Sequence, residues 1–322
     1  MEVVVDLELI ASIVGIALAA GTSLVYATLG EIVTERSGIL NLGVEGIMIM
    51  GAVTGFAAAF HTESVLWGVI VAMLAGGLMA AIHAFVTITL LADQVVSGLA
   101  MTLLGSGLAS FLGQRLGVNG SPLVGQIGPR FGRIPIPGLA ELGPMGESIF
   151  NRDLLTYIMY LLVPIMWLFI YKLRAGLVLR SVGENPQASD AMGVDVFRVR
   201  YVYTIVGGML VGLGGAHLSL SYTPGWTENI TGGRGWIAVA LVIFATWDPI
   251  RSVAGALLFG GVNAVQFRLQ AAGTNIPASL LNMLPYILTI VVLVVVTWFE
   301  SLRKRIGAPA ALGIPYVREE RV

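Results

Sequence analysis

The sequence contains no cysteine and few charged residues. Of its 322 residues, none is Cys and only 11% are Asp, Glu, Lys or Arg, well under half of the roughly 25% usual in soluble domains. The absence of cysteine excludes disulfides, thiolate metal sites and cysteine nucleophiles. Only Lys172 and Lys304 are lysines, so no lysine-rich surface is available for nucleic-acid phosphates, and we expect no nucleic-acid partner.

Catalytic motifs are also missing. None of the histidines, His61, His83 and His217, is followed by glutamate, so the sequence has no HExxH zinc helix. It has no GxSxG nucleophile elbow. Neither lysine follows a glycine, as the phosphate-binding Walker A loop requires. We therefore expect no enzyme activity, no metal and no cofactor bound by this chain.

Apolar residues, in contrast, are abundant. They make up 56% of the chain, and the mean hydropathy is +0.86. Because about 20 apolar residues cross a bilayer, this composition allows about nine spans. We expect an all-α, polytopic integral membrane helix bundle with about 8–10 transmembrane helices, some of them broken. One transmembrane domain over residues 1–322 is predicted, and the acidic amino terminus shows no cleavable signal peptide.

Eight apolar runs are long enough to span a membrane. They lie near 9–30, 38–59, 65–91, 95–113, 154–172, 199–221, 251–270 and 281–299. A ninth run, from Trp236 to Trp247, is too short for a full helical crossing and predicts a half-span or re-entrant helix. The 38–59 run carries Asn41, Gly43, Glu45 and Gly46 in its first turns, which indicates an unwound or broken helix.

The positions of arginine and lysine predict the orientation. Segment 172–200 carries five such residues, and Arg303, Lys304 and Arg305 follow the last span. Both regions are assigned to the cytoplasm because positive loops resist translocation. The long loop 114–153 and the amino terminus then lie outside, and an even number of crossings must separate the two basic regions.

The cytoplasmic loop 173–198 carries clear helix signals. Asn185 is a typical N-cap, Pro186 suits the first helical position and Gly193 suits a left-handed stop. These signals predict a helix of about two turns from Pro186 to Met192, too short to be stable alone in water. We interpret it as a docking helix for a cytoplasmic partner; the alternative is a loop helix that rests on its own membrane domain.

Three segments carry a family resemblance. The run Arg180–Ala188 with Met192-Gly193-Val194 resembles the coupling-helix loop of ABC importer permeases of the ribose and branched-chain amino acid type. Segments Ser37–Met48 and Asp93–Ala100 are similar to the nucleoside and simple-sugar branch of that family. The resemblance covers about residues 20 to 300. It implies ATPase coupling through a set of loop residues: Gly183, Glu184, Asn185, Pro186, Gln187, Ala188, Met192 and Gly193.

The resemblance also implies partners and a location. A permease of this type pairs with a second permease, identical or different, with two cytoplasmic ATPases that use ATP and Mg, and with an extracytoplasmic binding protein. It lies in a bacterial-type inner membrane and moves a small-molecule substrate by alternating access. The expected function is therefore that of a nucleoside importer subunit. A simple-sugar permease, an ion-coupled secondary transporter and a membrane-embedded enzyme are the alternatives.

Polar residues within the spans are the candidates for the substrate path. A carboxylate in a span costs roughly 2.5 to 3.5 kcal/mol on insertion scales, so Glu45 is expected to face the interior or a cavity. A structural role within a broken helix is its alternative. The remaining candidates are uncharged residues with polar or aromatic side chains: Asn41, Ser97, Thr102, Asn263, Gln266 and Trp236.

Overall fold

A computed structural model of the protein describes residues 7–271, 276–281, 283–303 and 307–318, and these form a helical membrane bundle. A two-stranded antiparallel ribbon joins β1 (Ile134–Pro135) to β2 (Asn151–Arg152) in the long outer loop. The helices are α1 Leu7–Arg36, α2 Val44–Thr62, α3 Val65–Ala84, α4 Gln94–Gly113, α5 Gly143–Phe150, α6 Leu154–Lys172, α7 Arg174–Glu184, α8 Pro186–Ala191, α9 Val196–His217, α10 Arg234–Phe244, α11 Pro249–Ala271, α12 Ala278–Leu281 and α13 Leu284–Arg303.

The spanning helices lie close to the predicted runs. Within the part of the chain that the structure describes, six helices are long and apolar enough to cross a membrane: α1, α2, α3, α4, α6 and α9. Short π-helical turns, Phe85–Thr89 and Leu218–Tyr222, extend α3 and α9. The helices α11 and α13 add 23 and 20 residues, or about 30 Å and more at ~1.5 Å per residue. The first span runs to Arg36, six residues beyond its predicted end.

The predicted break before α2 is present. Residues 37–43 are not helical, and α2 begins at Val44. Gly46 packs against the backbone of Met101 and Thr102, well inside α4, so α2 starts within the bundle rather than at its surface. A non-helical backbone segment is tolerated at this depth only because surrounding protein groups satisfy its polar atoms.

The short segment near Trp236 completes a crossing in two parts. The chain leaves the outer end of α9, runs through the non-helical residues 223–233, and then forms α10 over only 11 residues. Trp247, just beyond α10, contacts Glu35 at the end of α1. The end of α10 therefore lies on the same side as the carboxyl end of α1, which agrees with an even number of crossings between the two basic regions.

Small residues allow the central helices to approach closely. In α3, Gly76 faces the backbone of Gly208 and Gly212 in α9, and a Cβ at Gly76 would lie 2.3 Å from the Gly208 carbonyl oxygen. Likewise, Gly30 in α1 lies against Gly207. Close backbone packing of this kind replaces the hydrophobic driving force that is missing between helices in lipid.

The loop 173–198, which we predict to be cytoplasmic, contains more structure than the sequence predicted. Besides α8, which matches the expected short helix, it forms α7 over Arg174–Glu184. Gly176, Leu179, Val182 and Gly183 are buried on one side of α7. Our sequence interpretation missed this helix because its apolar face is only two turns long and is interrupted by two glycines and two arginines.

Candidate functional site

Glu45 links the two broken helices α2 and α10. Its carboxylate accepts hydrogen bonds from the Thr231 hydroxyl (2.6 Å), the Gly233 amide (2.9 Å) and the Gly235 amide (2.6 Å). The amide donors lie at the beginning of α10, where free N–H groups and the helix dipole favour a negative charge. Glu45, itself in the first turn of α2, therefore caps a second helix whose start lies inside the bundle.

An arginine occupies the other side of this junction. Arg234, the first residue of α10, donates to the carbonyl oxygen of Ala20 (2.8 Å) and lies 4.9 Å from the centre of the Tyr222 ring. These contacts tie α10 to α1 and to the outer end of α9. The junction thus holds one acid and one base side chain, each bound to protein groups.

Three of the predicted path residues lie in or beside the non-helical segment 37–43. Asn41 accepts from the Gly43 amide (2.9 Å), and Thr102 donates to the Leu42 carbonyl oxygen (3.0 Å). Ser97 is hydrogen-bonded to His83 (2.9 Å), whose second ring nitrogen lies 3.1 Å from the carbonyl oxygen of Leu40. The structure therefore brings Asn41, Ser97 and Thr102 together with Glu45, and most of their contacts satisfy the backbone of the break.

Of the other three path candidates, two lie on α11, and the third, Trp236, follows Gly235 at the start of α10 beside the Glu45 junction. Asn263 is partly buried and Gln266 is buried, both on α11, which packs chiefly against α1 and also contacts α6, α10 and α13. Trp236 lies in the first turn of α10 and is 37% exposed. Their role in a substrate path stays a prediction.

A buried acidic pair, which was not among the residues predicted from the sequence, lies near the inner end of α1. Glu31 and Glu35 are 0% and 2% exposed near the inner end of α1. Glu31 accepts from the Asn41 amide (3.1 Å) and Glu35 from the Trp247 indole (2.5 Å). Their four-residue spacing puts both on one helix face. That spacing was a usable signal, but the predicted span ended at residue 30 and left both acids outside it.

The capped segment 183–193, called the coupling segment below after its predicted role, presents one exposed face. Asn185 caps α8 by accepting from the Ala188 amide (2.8 Å), and Gly193 adopts a left-handed φ of 86°. Met192 is 85% exposed, whereas Gly183 lies directly against the carbonyl oxygen of Arg36. Its exposed residues are Glu184, Asn185, Gln187, Ala188, Ala191, Met192 and Gly193, and its fully buried members are Gly183, Pro186 and Ser189.

The carboxyl-terminal residues 307–318, called the tail strap below, hold the coupling segment. The Ala311 amide donates to Gly183 (2.9 Å) and the Gly313 amide to Gly38 (3.2 Å). Arg318 forms an ion pair with Asp190 of α8 (3.2 Å). The tail strap thus connects α7 and α8 to the start of the non-helical segment 37–43.

One aromatic side chain anchors the tail strap. Tyr316 is 4% exposed, packs with Val182 and Val196, and lies under the buried guanidinium of Arg200. Burial raises the pKa of the Tyr316 phenol above its ordinary value. Arg200 also donates to the Ile314 carbonyl oxygen (3.2 Å).

Comparisons with known proteins place this architecture in a family. The model of the family described as branched-chain amino acid transport system / permease component matches residues 12–293. Among the described residues, no three His, Asp or Glu side chains are grouped to hold a metal. No solved structure matches the chain significantly.

Three curated relatives extend over nearly the whole chain. The putative glucose ABC transporter permease protein TsgC13 of Haloferax volcanii is 41% identical over 96% of this chain and 98% of its own length. The guanosine ABC transporter permease protein NupQ of Bacillus subtilis is 35% identical, covering 98% and 99%. The nucleoside ABC transporter permease protein NupC of Lactococcus lactis is 33% identical, covering 99% and 100%. The chain therefore belongs to the permease components of the branched-chain amino acid transport system family and is a multi-pass protein of the cell membrane.

Proposed function

We propose that this chain is one permease subunit of an ABC importer for nucleosides. It would work with cytoplasmic ATPases that bind ATP and Mg, with an extracytoplasmic binding protein, and with a second permease subunit that is either a copy of this chain or a different one. The chain itself would hydrolyse no nucleotide and bind no cofactor. The observation that carries this proposal is the coupling segment. Its helix is capped, one face is exposed, and the tail strap holds the segment against the rest of the protein.

The geometry suggests how work from an ATPase would reach the membrane. A helix as short as α8 is not stable alone, but the Gly183 contact and the tail strap fix it to α1 and to segment 37–43. A push on the exposed face of α8 would therefore move the inner ends of these elements together. The break before α2 and the Glu45 junction are the points where the bundle can change its tilt without unwinding a regular helix.

Two of the three reported relatives support the substrate class. NupQ and NupC are named for guanosine and for nucleosides. The relative at 41% identity is named for glucose. Its name supports a second candidate function, that of a simple-sugar importer. Uptake of labelled guanosine, uridine, ribose and glucose in a strain that lacks the transporter, with and without the complete operon, distinguishes the two. Nucleoside uptake supports the first candidate, and sugar uptake alone contradicts it.

Copurification tests the coupling assignment. A tagged chain, expressed with its ATPase subunits, should retain them, whereas Ala188→Arg should release them because a large charged side chain replaces a small exposed one in α8. The control is Glu141→Arg in the outer loop, which is also exposed and should retain the ATPase. If Ala188→Arg also retains the ATPase and supports normal uptake, the coupling segment is not the docking site.

An ion-coupled mechanism gives the opposite result. Purified chain alone, reconstituted in liposomes, would then accumulate substrate when an ion gradient is applied. We expect no accumulation without ATP and the ATPase subunits. Accumulation of substrate under an ion gradient alone would contradict the proposal that this chain is an ABC permease subunit.

A further inference from the structure

A large cavity lies near the amino-terminal half of α1 and borders the Glu45 junction through Tyr222, the ring that faces Arg234. It has a volume of about 870 Å³ and lies between the amino-terminal half of α1 and the outer end of α9, beneath α5 and residues 130–133. Sites for small organic ligands typically measure about 300–1,000 Å³. The cavity is thus large enough for a nucleoside, and the contacts described above do not account for its open space.

The floor of the cavity contains an unsatisfied histidine. His217 is 1% exposed, and neither of its ring nitrogens has a hydrogen-bond partner. Its Nε2 atom lies 3.9 Å from Oδ2 of Asp153, too far for a hydrogen bond. A buried polar group left unpaired is energetically costly, so the arrangement favours a ligand group that pairs with the imidazole.

A hydroxyl group suits this position. Asp153 accepts from the amide and the hydroxyl of Thr156 and from the Ser221 hydroxyl, which leaves room for one more donor because each carboxylate oxygen can accept two hydrogen bonds. A ligand hydroxyl beside His217 could accept from the imidazole N–H and donate to Asp153. Adjacent hydroxyls, as on a ribose ring, would then also reach Ser221, which lines the same wall.

The charges and rings of the walls indicate a neutral ligand with a flat part. The lining contains three arginines, Arg130, Arg133 and Arg152, and three acids, Glu8, Glu147 and Asp153. Equal numbers of the two signs give no preference for an anion or a cation. The rings of Phe131 and Tyr222 also line the cavity and offer apolar surface to a planar base.

We propose that this outer cavity binds a neutral nucleoside, with a ribose hydroxyl between His217 and Asp153 and the base against the aromatic wall. The proposal rests on the nucleoside importer function above and adds a binding site on the permease itself. Substrate released by the binding protein would occupy this site before it enters the bundle.

Equilibrium binding to the full-length chain in lipid nanodiscs tests the site. The probes are labelled uridine, ribose and uridine monophosphate. Uridine should bind saturably, ribose more weakly because it lacks the base, and the monophosphate no better than uridine. His217→Ala should weaken uridine binding about tenfold, the loss of one or two hydrogen bonds. His61→Ala is the matched control, because His61 lies at the outer end of α2 and does not line the cavity.

A second variant separates loss of binding from loss of folding. Gly15 lines the cavity, and a Cβ at this position would lie 2.6 Å from the Arg152 guanidinium. Gly15→Ala should weaken uridine binding by displacing that side chain, whereas Gly261→Ala should not, since nothing lies within 4 Å of its added Cβ. Thermal unfolding of each variant shows whether the protein remains folded.

Several results would overturn the proposal. They are no saturable uridine binding to the folded chain, equal binding by folded His217→Ala, ribose binding without uridine binding, or tighter binding of the monophosphate. Failure of the importer function would appear differently, as absence of ATPase copurification and of nucleoside uptake by the complete transporter. If uptake is normal but the isolated permease binds no uridine, only the cavity site is wrong.

Discussion

At the residue scale, Glu45 shows how a charge becomes tolerable inside a membrane protein. Three donors around its carboxylate replace the water that it loses. The sequence identified Glu45 as exceptional for its span, and both a path role and a structural role were open. The observed contacts explain its presence without a ligand, while a substrate role stays a prediction.

We predict that Glu45→Gln destabilises the protein. The amide replaces one carboxylate oxygen with a donor group, which then faces an N–H at the start of α10. Leaving such buried groups unpaired should reduce the free energy of unfolding by about 1–3 kcal/mol. Denaturant or thermal unfolding in detergent measures the change. Glu141→Gln, at an exposed position, should unfold like the wild type; equal stability of both variants would show that the cap is dispensable.

At the element scale, glycine positions decide which helices can touch. Gly105 and Gly107 lie two residues apart on α4, but only Gly105 faces α2. A Cβ at Gly105 would lie 2.3 Å from the carbonyl oxygen of Gly46, whereas one at Gly107 meets nothing within 4 Å. Which glycine faces a neighbouring helix depends on how the helices pack, and the sequence of one helix does not identify its partner.

Gly105→Ala should therefore push α4 away from α2. Overpacking of this kind typically costs about 1–3 kcal/mol, and the displaced α4 would also weaken the Thr102 bond to segment 37–43. Gly107→Ala is the matched control, since it adds the same methyl group to the same helix. Unfolding midpoints and transport rates of the two variants measure the difference. Equal values for both would contradict the packing described here.

At the scale of the whole molecule, the tail strap joins regions far apart in sequence. Its residues contact Gly38 just after α1, Gly183 and α8 in the middle of the sequence, and Arg200 on α9. Sequence analysis assigned only positive charge to this end of the chain. Nothing in the periodicity of a short, irregular segment indicates which surface it covers.

We predict that Tyr316→Ala impairs coupling more than Arg318→Ala. Removing the buried ring leaves a cavity beside Val182 and Val196 and should cost roughly 3 kcal/mol, which would loosen the support of α8. The Arg318 side chain is 70% exposed, so its ion pair should contribute at most about 1 kcal/mol. ATPase stimulation by substrate-loaded binding protein measures coupling. Equal effects of the two variants would show that the ring does not anchor the tail strap.

The sequence by itself determined the membrane class, most spans, the break near Asn41 and the cap of α8 at Asn185. These features depend on hydropathy over some 20 residues or on capping within four, and such signals are local. Only the tertiary structure decided the partners of Glu45, the buried pair Glu31 and Glu35, and the path of the tail strap. Thr231 lies 186 positions from Glu45, and contacts over such separations depend on how whole helices pack, which no local pattern specifies.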